Sequence, residues 1–189
     1  MANNITGGRE AIGKTVATAN VAGDVVPVDH NGAYPLAGWE IEGALHGVVP
    51  VFSPLTHLPN FPGVYVYNTR TPGQTTPTIP GHWVAVRVPQ SPDLPVEFFD
   101  SFGRPPSAYG LDDVICKRKQ IIYNPLKLQE SGTFACGHYV IAYCAFQLVG
   151  WTMDDYLDLF NPSTPRENDC IALELATPMV HRLAESYKY

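Results

Sequence analysis

The sequence predicts an α+β fold, in which a central, mostly antiparallel sheet is packed by helices. Short runs of β-forming residues fill the middle of the chain, and after Gly132 the pattern changes to apolar segments of helical length. The chain has 189 residues, 45% of them hydrophobic, which suits one well-filled core and is too short for two ordinary domains. We therefore predict a single domain over residues 1–189.

The N-terminal third, residues 1–62, is rich in Gly, Pro, Ala and Val and shows little periodicity. Turn clusters near residues 30 and 60 indicate an irregular part of the domain, with one short helix around residues 39–46. From Val64 onwards, β-forming runs predict strands at residues 64–67, 82–88, 96–99 and 120–123. Between the first two, residues 69–81 contain Gly73 and three prolines and are predicted to form a loop.

The last third of the chain predicts helices. Residues 135–149 are almost all apolar or small and too many for a typical strand, so they predict a buried helix. Further helices are predicted at residues 153–160 and 167–176. Thr177 and Pro178 have the pattern of a helix cap followed by a first-turn proline, which predicts a separate terminal helix to about residue 187.

Charge and composition exclude several classes of function. Twelve basic against eighteen acidic residues give a net charge of −6, which argues against a nucleic-acid partner held by general electrostatics. The N-terminus lacks a secretory pattern and no stretch is as apolar as a membrane span, so we expect a soluble, intracellular protein. The four cysteines form no CxxC pair and the histidines have no zinc spacing, so neither a metal site nor a disulfide framework is predicted.

Four residues together supply the roles that a thiol protease needs. Cys136 lies where the long helix should begin, and a helix N-terminus and a nearby imidazolium both lower the pKa of a thiol. His82 opens a β-run and can act as the base, while Asp100 ends a strand and can orient the imidazole. Gln129 offers an amide donor to the negative oxygen of a tetrahedral intermediate. Gly137, beside Cys136, is expected to leave room for a substrate backbone.

Each of these residues also has a simpler structural interpretation. Cys136 alone is most simply a buried thiol, His82 a structural histidine and Asp100 the cap of a turn. Trp83 fits the core as well as a substrate pocket. The catalytic interpretation is favoured because the separate structural explanations would all have to coincide.

The set also matches a known family. Gly81-His82-Trp83, the turn from Phe98 to Gly103, the interval from Gln129 to Cys136-Gly137, and Asn161-Pro162-Ser163 resemble the adenains, the adenovirus endopeptidase family, and the adenain-like proteases of virophages and virus-like mobile elements. The resemblance covers roughly residues 49–170. It implies a cysteine endopeptidase with His82 as general base and acid, Asp100 orienting it, Cys136 as nucleophile and Gln129 in the oxyanion hole. Trp83 and Gly137 would then line the substrate site.

The resemblance also implies substrates and a setting. Such an enzyme would cut after Gly-Gly or Gly-X-Gly sites and process capsid or virion precursors in the cytoplasm or nucleus of an infected cell, or inside the virion. Two alternatives stay open: a protease that removes ubiquitin-like modifiers, and a catalytically inactive binding or structural protein with the same fold.

Some positions depart from the family pattern. The adenovirus enzyme usually has Glu where this chain has Asp100, and it uses a disulfide-linked activating peptide and DNA. Here Cys116 is two residues off the matching register and the net charge is acidic, so no cofactor and no strong nucleic-acid binding are expected, while an activating peptide stays open as a partner. The chain begins Ile5-Thr6-Gly7-Gly8-Arg9, which fits the family's cleavage preference. We therefore hypothesise that the protein removes its own first eight residues.

Overall fold

The computed structural model describes residues 18–19, 25–26, 28–52, 61–70, 81–111 and 120–186. The strands are β1 (Thr18–Ala19), β2 (Val25–Val26), β3 (Val51–Phe52), β4 (Gly63–Asn68), β5 (Trp83–Val88), β6 (Val96–Phe99) and β7 (Ile121–Tyr123). The α-helices are α1 (Gly38–Ala44), α2 (Cys136–Leu148), α3 (Met153–Leu157) and α4 (Pro165–Ser186), and a 3-10 turn spans Pro106–Tyr109.

A five-stranded sheet in the order β3-β4-β5-β6-β7 forms the centre of the fold, so the predicted α+β class is confirmed. The three central strands pair antiparallel, as predicted. Both edge strands instead pair parallel with their neighbours. Parallel neighbours need a long connection, and the stretches that lead from β3 to β4 and from β6 to β7 provide it.

The N-terminal part is more regular than its composition indicates. The predicted short helix is present as α1, but β1 and β2 form an antiparallel pair and β3 joins the main sheet. Each of these three strands has only two residues. Such short strands leave no alternation for a sequence pattern to show.

The central strand β5 is buried on both faces of the sheet. Trp83 and Ala85 point into the cluster formed with the helices, whereas Val84, Val86 and Val88 point into a second cluster on the other face. This division follows the two-residue repeat of a strand. The four predicted strands agree with β4 to β7 to within a residue at either end.

Helix α2 runs through the main core and confirms the predicted buried helix. Ten of its residues are buried, and it packs against the sheet, α1 and α4. The helix ends in a Schellman motif: Gly150 has a φ of 93°, and the Trp151 amide donates to the Phe146 carbonyl at 3.1 Å. Cys136 is thereby the first residue of a helix whose position is fixed along its whole length.

The C-terminal part corrects one prediction. Residues 165–186 form a single helix, α4, with Pro178 inside it, so the predicted break before Thr177 is wrong. Proline removes one backbone hydrogen bond from the helix. Ala172 and Ala176 are fully buried against the core, and this packing keeps the helix continuous. Helix α3 is shorter than predicted and ends at Leu157. Across the described ranges no helix combines the length and apolar character that a bilayer crossing needs.

Replacing Pro178 with alanine should therefore stabilise the protein. Pro178 is exposed, so its ring contributes little packing, while its missing N–H leaves the Glu174 carbonyl without a helical partner. We expect an increase of about 1–3 kcal/mol in the free energy of unfolding, measured by urea denaturation. Pro165→Ala is the matched control, because Pro165 is the first residue of α4, where no N–H is required. An unchanged or lower midpoint for Pro178→Ala would contradict this account.

Candidate active site

Two neighbouring strands bring His82 and Asp100 together. His82 immediately precedes β5 and Asp100 immediately follows β6, and because these strands are antiparallel, both residues lie at the same end of the sheet. The His82 Nε2 and Asp100 Oδ1 atoms are 2.6 Å apart. The pair that the sequence singled out is therefore in direct contact.

Asp100 is a fully buried carboxylate with a complete set of donors. Besides the imidazole, its Oδ1 accepts from the Phe102 amide at 2.9 Å, and its Oδ2 accepts from the Tyr109 hydroxyl at 2.8 Å and the Arg104 amide at 3.1 Å. Burial alone would raise the pKa of Asp100, but the bonds to His82 and to these donors outweigh it and lower that pKa. The residue is thus ionised and unable to rotate.

The backbone of Asp100 is held by a second side chain. The Asp100 amide donates to Asn124 Oδ1 at 2.8 Å, and Asn124 Nδ2 donates back to the Asp100 carbonyl at 2.8 Å. Asn124 is itself fully buried and directly follows β7. The carboxylate is therefore fixed to the sheet from both sides.

The His82 ring is held between the carboxylate and the thiol. Its side chain is 14% exposed, and it stacks with Phe102 at 4.9 Å and with Tyr109 at 5.7 Å between ring centroids. Burial lowers the pKa of His82, but hydrogen bonds to Asp100 and Cys136 outweigh it and raise the pKa to about 9. Because Nε2 is used by Asp100, Nδ1 is the nitrogen left for the sulfur.

Cys136 is the first residue of α2 and is almost buried. The first amides of a helix have no partner within it, so they concentrate positive potential around this sulfur. The thiol opens into a cleft of about 240 Å³. The other residues that line this cleft are Pro35, Gly81, His82, Trp83, Phe102, Gln129, Gly132, Thr133 and Phe134.

Gln129 lies in the wall of the same cleft and is held at both ends of its carboxamide. Its oxygen accepts from the Ser101 hydroxyl at 2.7 Å. Its nitrogen donates to the Thr133 carbonyl at 2.9 Å and has a longer contact of 3.2 Å with the Thr133 hydroxyl. Three of the four residues predicted to be catalytic, His82, Gln129 and Cys136, therefore line one cleft, and the fourth, Asp100, contacts His82.

Trp83 and Gly137 were predicted to contact substrate. Trp83 is among the residues that line the cleft, and Gly137 is not. Trp83 is 6% exposed and belongs to the core, its indole N–H donates to the Leu36 carbonyl at 2.9 Å, and one edge of it lines the cleft. The space beside Gly137 is occupied: a Cβ there would lie 3.0 Å from Leu36. The expectation that Gly137 leaves room for a substrate backbone is corrected, because that room holds the N-terminal segment.

The N-terminal segment, residues 28–37, forms part of the site although its sequence carries no catalytic pattern. Asp29 Oδ2 accepts from the Phe134 amide at 2.8 Å, and Pro35 lines the cleft. His30 lies 2.8 Å from Glu130. The loop before Cys136 is thus braced by a segment about a hundred residues earlier in the chain.

Sequence reasoning missed several supporting residues. Tyr109 ends the 3-10 turn and Asn124 follows β7, and no local spacing connects either of them to Asp100. Ser101 lies in a motif that the sequence did single out, so its position next to Asp100 was a usable signal. Asp169 on α4, which accepts from Thr133, carries no sequence signal at all.

Gly81 is expected to be intolerant of a side chain. A Cβ at this position would overlap the Asn68 carboxamide. That carboxamide is buried, and its oxygen accepts a hydrogen bond from the Arg70 amide nitrogen at 2.9 Å. Gly81→Ala should therefore displace His82 and lower kcat/KM for a peptide substrate by about tenfold or more. Gly110→Ala is an informative control, because it also adds a methyl group but meets no atom within 4 Å, although its φ of 67° makes it strained. Equal losses of activity in both variants would contradict the proposed effect on His82.

The remaining predictions concern metals, thiols and segments outside the described part. Among the described residues, no group of three or more His, Cys, Asp and Glu side chains is arranged to hold a metal ion. Cys136, Cys144 and Cys170 are free thiols. Cys116, the adjacent basic residues 117–119, the loop at 71–80 and the Gly-Gly sequence near the N-terminus lie outside the described residues.

Comparison with known proteins gives a distant match. No protein-family model matches the sequence, and no curated protein sequence matches it. Among solved structures, the chain is similar to the ASFV pS273R protease, in the crystal structure of its selenomethionine form, with a TM-score of 0.48 and 14% identity. The match covers 75% of this chain and 67% of that chain. At this level of similarity the match identifies no functional residue of this protein.

Proposed function

We propose that this protein is a cysteine endopeptidase. The observation that carries the proposal is the His82 ring, which bonds the buried Asp100 carboxylate and lines the same cleft as the Cys136 thiol. A thiol at a helix N-terminus, next to an imidazole of raised pKa, is the arrangement that yields a thiolate and imidazolium pair. A histidine with a purely structural role has no need of both partners.

The proposed reaction follows from these positions. The Cys136 thiolate attacks the substrate carbonyl carbon, and the carbonyl electron pair moves to oxygen. When the tetrahedral intermediate collapses, His82 gives its proton to the leaving amine and the peptide bond breaks. His82 then takes a proton from water, whose oxygen attacks the thioester, and the acid product leaves as the thiol is restored. Asp100 holds the ring and stabilises its charge throughout.

The oxyanion would be stabilised by Gln129 and by the start of α2. One amide hydrogen of Gln129 makes the 2.9 Å bond to the Thr133 carbonyl, and the other has only the 3.2 Å contact with the Thr133 hydroxyl. The second hydrogen can be shared between that weak contact and a substrate oxygen, so the contact with Thr133 is kept. Together with the free amide of Cys136, it supplies two donors.

We further propose that the substrates are proteins cut after Gly-Gly or Gly-X-Gly sites. A cleft of about 240 Å³ walled by Trp83, Phe102 and Phe134 suits small residues at the cut. The resemblance to adenain-like proteases supports capsid or virion precursors as substrates, met in the cytoplasm or nucleus of an infected cell. The same resemblance leaves deconjugation of ubiquitin-like modifiers as the second candidate, and self-cleavage after Gly8 as a third event to test.

Thiol reactivity tests the proposal directly. Limiting iodoacetamide near neutral pH, followed by mass mapping, should label Cys136 faster than Cys170, although Cys136 is buried and Cys170 is exposed. The preference should vanish in His82→Ala. Cys144 is an internal reference, because burial raises its pKa and keeps it protonated. Faster labelling of Cys170 than of Cys136 would support a catalytically silent fold.

Substrate panels separate the candidate activities. Peptides with Leu-X-Gly-Gly, Leu-X-Gly-X and Leu-X-Ala-Ala before the cut, and intact ubiquitin-like conjugates, should be incubated with wild type and Cys136→Ala. Hydrolysis of the first two peptides alone supports an endopeptidase, and hydrolysis of conjugates alone supports deconjugation. If self-cleavage occurs, the intact mass of the wild-type protein should fall by the mass of its first eight residues. Equal intact masses for wild type and Cys136→Ala would exclude self-cleavage.

A further inference from the structure

Behind Gln129, a buried chain of hydrogen bonds joins three separate parts of the fold. Ser101, which follows Asp100, donates to the Gln129 oxygen at 2.7 Å. The Gln129 nitrogen contacts Thr133, and the Thr133 hydroxyl lies 2.7 Å from Asp169 Oδ2 on α4. Ser101, Gln129 and Asp169 are at most 1% exposed. The chain therefore runs from the residue next to Asp100 to the C-terminal helix, and Thr133, which is 8% exposed, is its most exposed member.

These partners determine which end of the Gln129 carboxamide faces which neighbour. The Thr133 backbone carbonyl, at 2.9 Å, can only accept a hydrogen bond, so the amide nitrogen must lie on that side. The amide oxygen must then lie toward Ser101, whose hydroxyl becomes the donor. A reversed amide would set two oxygens against each other at Thr133 and is excluded. This matters because only the nitrogen end can donate to an oxyanion.

Asp169 determines the direction of the Thr133 hydroxyl. A hydroxyl has one hydrogen, and the Asp169 oxygen at 2.7 Å competes with the Glu130 carbonyl at 3.0 Å. The shorter contact is to a carboxyl group, so the hydrogen goes to Asp169 and a lone pair is left facing the Gln129 nitrogen. Asp169 also accepts from the Tyr139 hydroxyl at 3.0 Å and the Glu130 amide at 3.4 Å.

Burial of the Asp169 carboxyl costs free energy, and a contact with only a structural role could be made without a buried carboxyl. Its donors are the Thr133 and Tyr139 hydroxyls and the Glu130 amide, all of them neutral. Burial accordingly raises the pKa of Asp169 to about 6, although these donors act in the opposite direction. A carboxyl without a cationic partner is destabilising in the interior, and neutral hydrogen-bond donors offset only part of that cost. Here these hydrogen bonds fix the loop between Gln129 and Cys136.

We infer that Ser101, Thr133 and Asp169 are positioning residues that hold the Gln129 carboxamide with its nitrogen toward the cleft. The inference rests on the proposed function, in which that nitrogen stabilises the oxyanion. None of the three touches the reacting atoms. Their effect is to remove the rotation of the amide that would otherwise present its oxygen to a negative charge.

Ser101→Ala and the pair Thr133→Val and Thr133→Ser test the inference. Ser101→Ala removes the donor to the amide oxygen, and Thr133→Val removes a hydroxyl at nearly constant volume. Each should lower kcat by about 10- to 100-fold while KM stays within about twofold, because the loss occurs in the transition state. Thr133→Ser keeps the hydroxyl and should recover most of the rate. If Ser101→Ala fails to fold, the Thr133 pair decides alone.

Two further measurements separate positioning from general destabilisation. Tyr143→Phe removes a buried hydrogen bond of 3.1 Å to Glu97, on a part of α2 remote from the thiol, and should lower the unfolding midpoint without changing kcat. In the Gln129→Ala background, Ser101→Ala should have no further effect on kcat, since the group that it positions is absent. Full additivity of the two substitutions, or an equal kcat loss in Tyr143→Phe, would overturn the inference.

A spectroscopic readout keeps the inference separate from the proposed function. In the wild-type protein, the ¹⁵N-labelled side-chain amide of Gln129 should give two distinct proton signals that exchange slowly with water. In Ser101→Ala both signals should exchange faster. Protected signals in a protein that hydrolyses no peptide would refute the protease and leave the positioning intact, whereas an active protein with the same exchange in both variants would refute the positioning.

Discussion

His82→Ala should reduce kcat/KM for peptide hydrolysis by about 10³-fold or more, the largest effect on activity expected of any change that leaves the nucleophile in place. In the proposed mechanism the imidazole is the proton acceptor for the thiol and the proton donor for the leaving amine. Its own pKa of about 9 keeps it protonated at neutral pH. Without it, Cys136 is a nearly buried thiol with only the helix N-terminus to support its charge.

The measurement is steady-state hydrolysis of a Gly-Gly peptide by wild type and His82→Ala. His46→Asn is the matched histidine control, because His46 is exposed and has a φ of 54°, which asparagine tolerates. A His82→Ala enzyme with more than a tenth of wild-type activity would remove His82 from the proposed mechanism.

The sequence was sufficient to bring together the residues proposed to react because their positions follow from local rules. Cys136 begins a helix that its apolar run predicts, and Asp100 ends a strand that its β-forming residues predict. His82 precedes the neighbouring strand, and one antiparallel pairing places it against Asp100. Reactive residues at the ends of predictable elements are thus accessible to sequence reasoning.

The supporting groups could not be found in this way because their partners depend on the complete fold. Asp169 reaches Thr133 only because α4 packs against α2. Asp29 reaches Phe134 from the irregular N-terminal part, where no periodicity exists to place it. Gly137 illustrates the same limit, since the glycine was recognised but the side chain that fills its space, Leu36, comes from a distant segment.

The error at Pro178 has a different cause. A cap-like Thr-Pro pair is a local signal, and the prediction gave it full weight. Buried Ala172 and Ala176 before the expected break, and partly buried Met179 and Val180 after it, pack the helix against the core, and this tertiary contribution exceeds the loss of one hydrogen bond. A local helix-cap signal thus fails to predict a helix end where the residues on both sides of it lie on one buried face of the helix.

Asp100→Ala should cause the largest loss of stability, about 3–5 kcal/mol at neutral pH. The substitution leaves the imidazolium without its counter-charge. It also leaves the Phe102 and Arg104 amides and the Tyr109 hydroxyl without a hydrogen-bond acceptor. All of these groups surround a side chain that is fully buried. Asp100→Asn keeps the shape and one acceptor oxygen, so it should lose less stability, although it removes the charge that His82 requires.

The loss should depend on pH in a defined direction. The folded-state pKa of Asp100 is lowered, so its contribution is present above the unfolded value near 4 and is lost as pH falls through the folded value. The folded-state pKa of His82 is raised to about 9, so its contribution is complete below the unfolded value near 6.5 and is lost as pH rises through 9. The ion pair therefore stabilises the fold most between about pH 4 and 6.5 and stabilises it progressively less above that range.

Urea denaturation of wild type, Asp100→Ala and Asp100→Asn at about pH 5.5 and about pH 10 measures this dependence. The difference between wild type and Asp100→Ala should shrink at the higher pH, since a neutral His82 no longer needs the carboxylate. It should not vanish, because the two amides and the Tyr109 hydroxyl still lack an acceptor. Asp93→Ala, at an exposed carboxylate, should change stability by no more than about 0.5 kcal/mol at either pH. A difference that is the same at both pH values would mean that the charge on His82 contributes nothing to the fold.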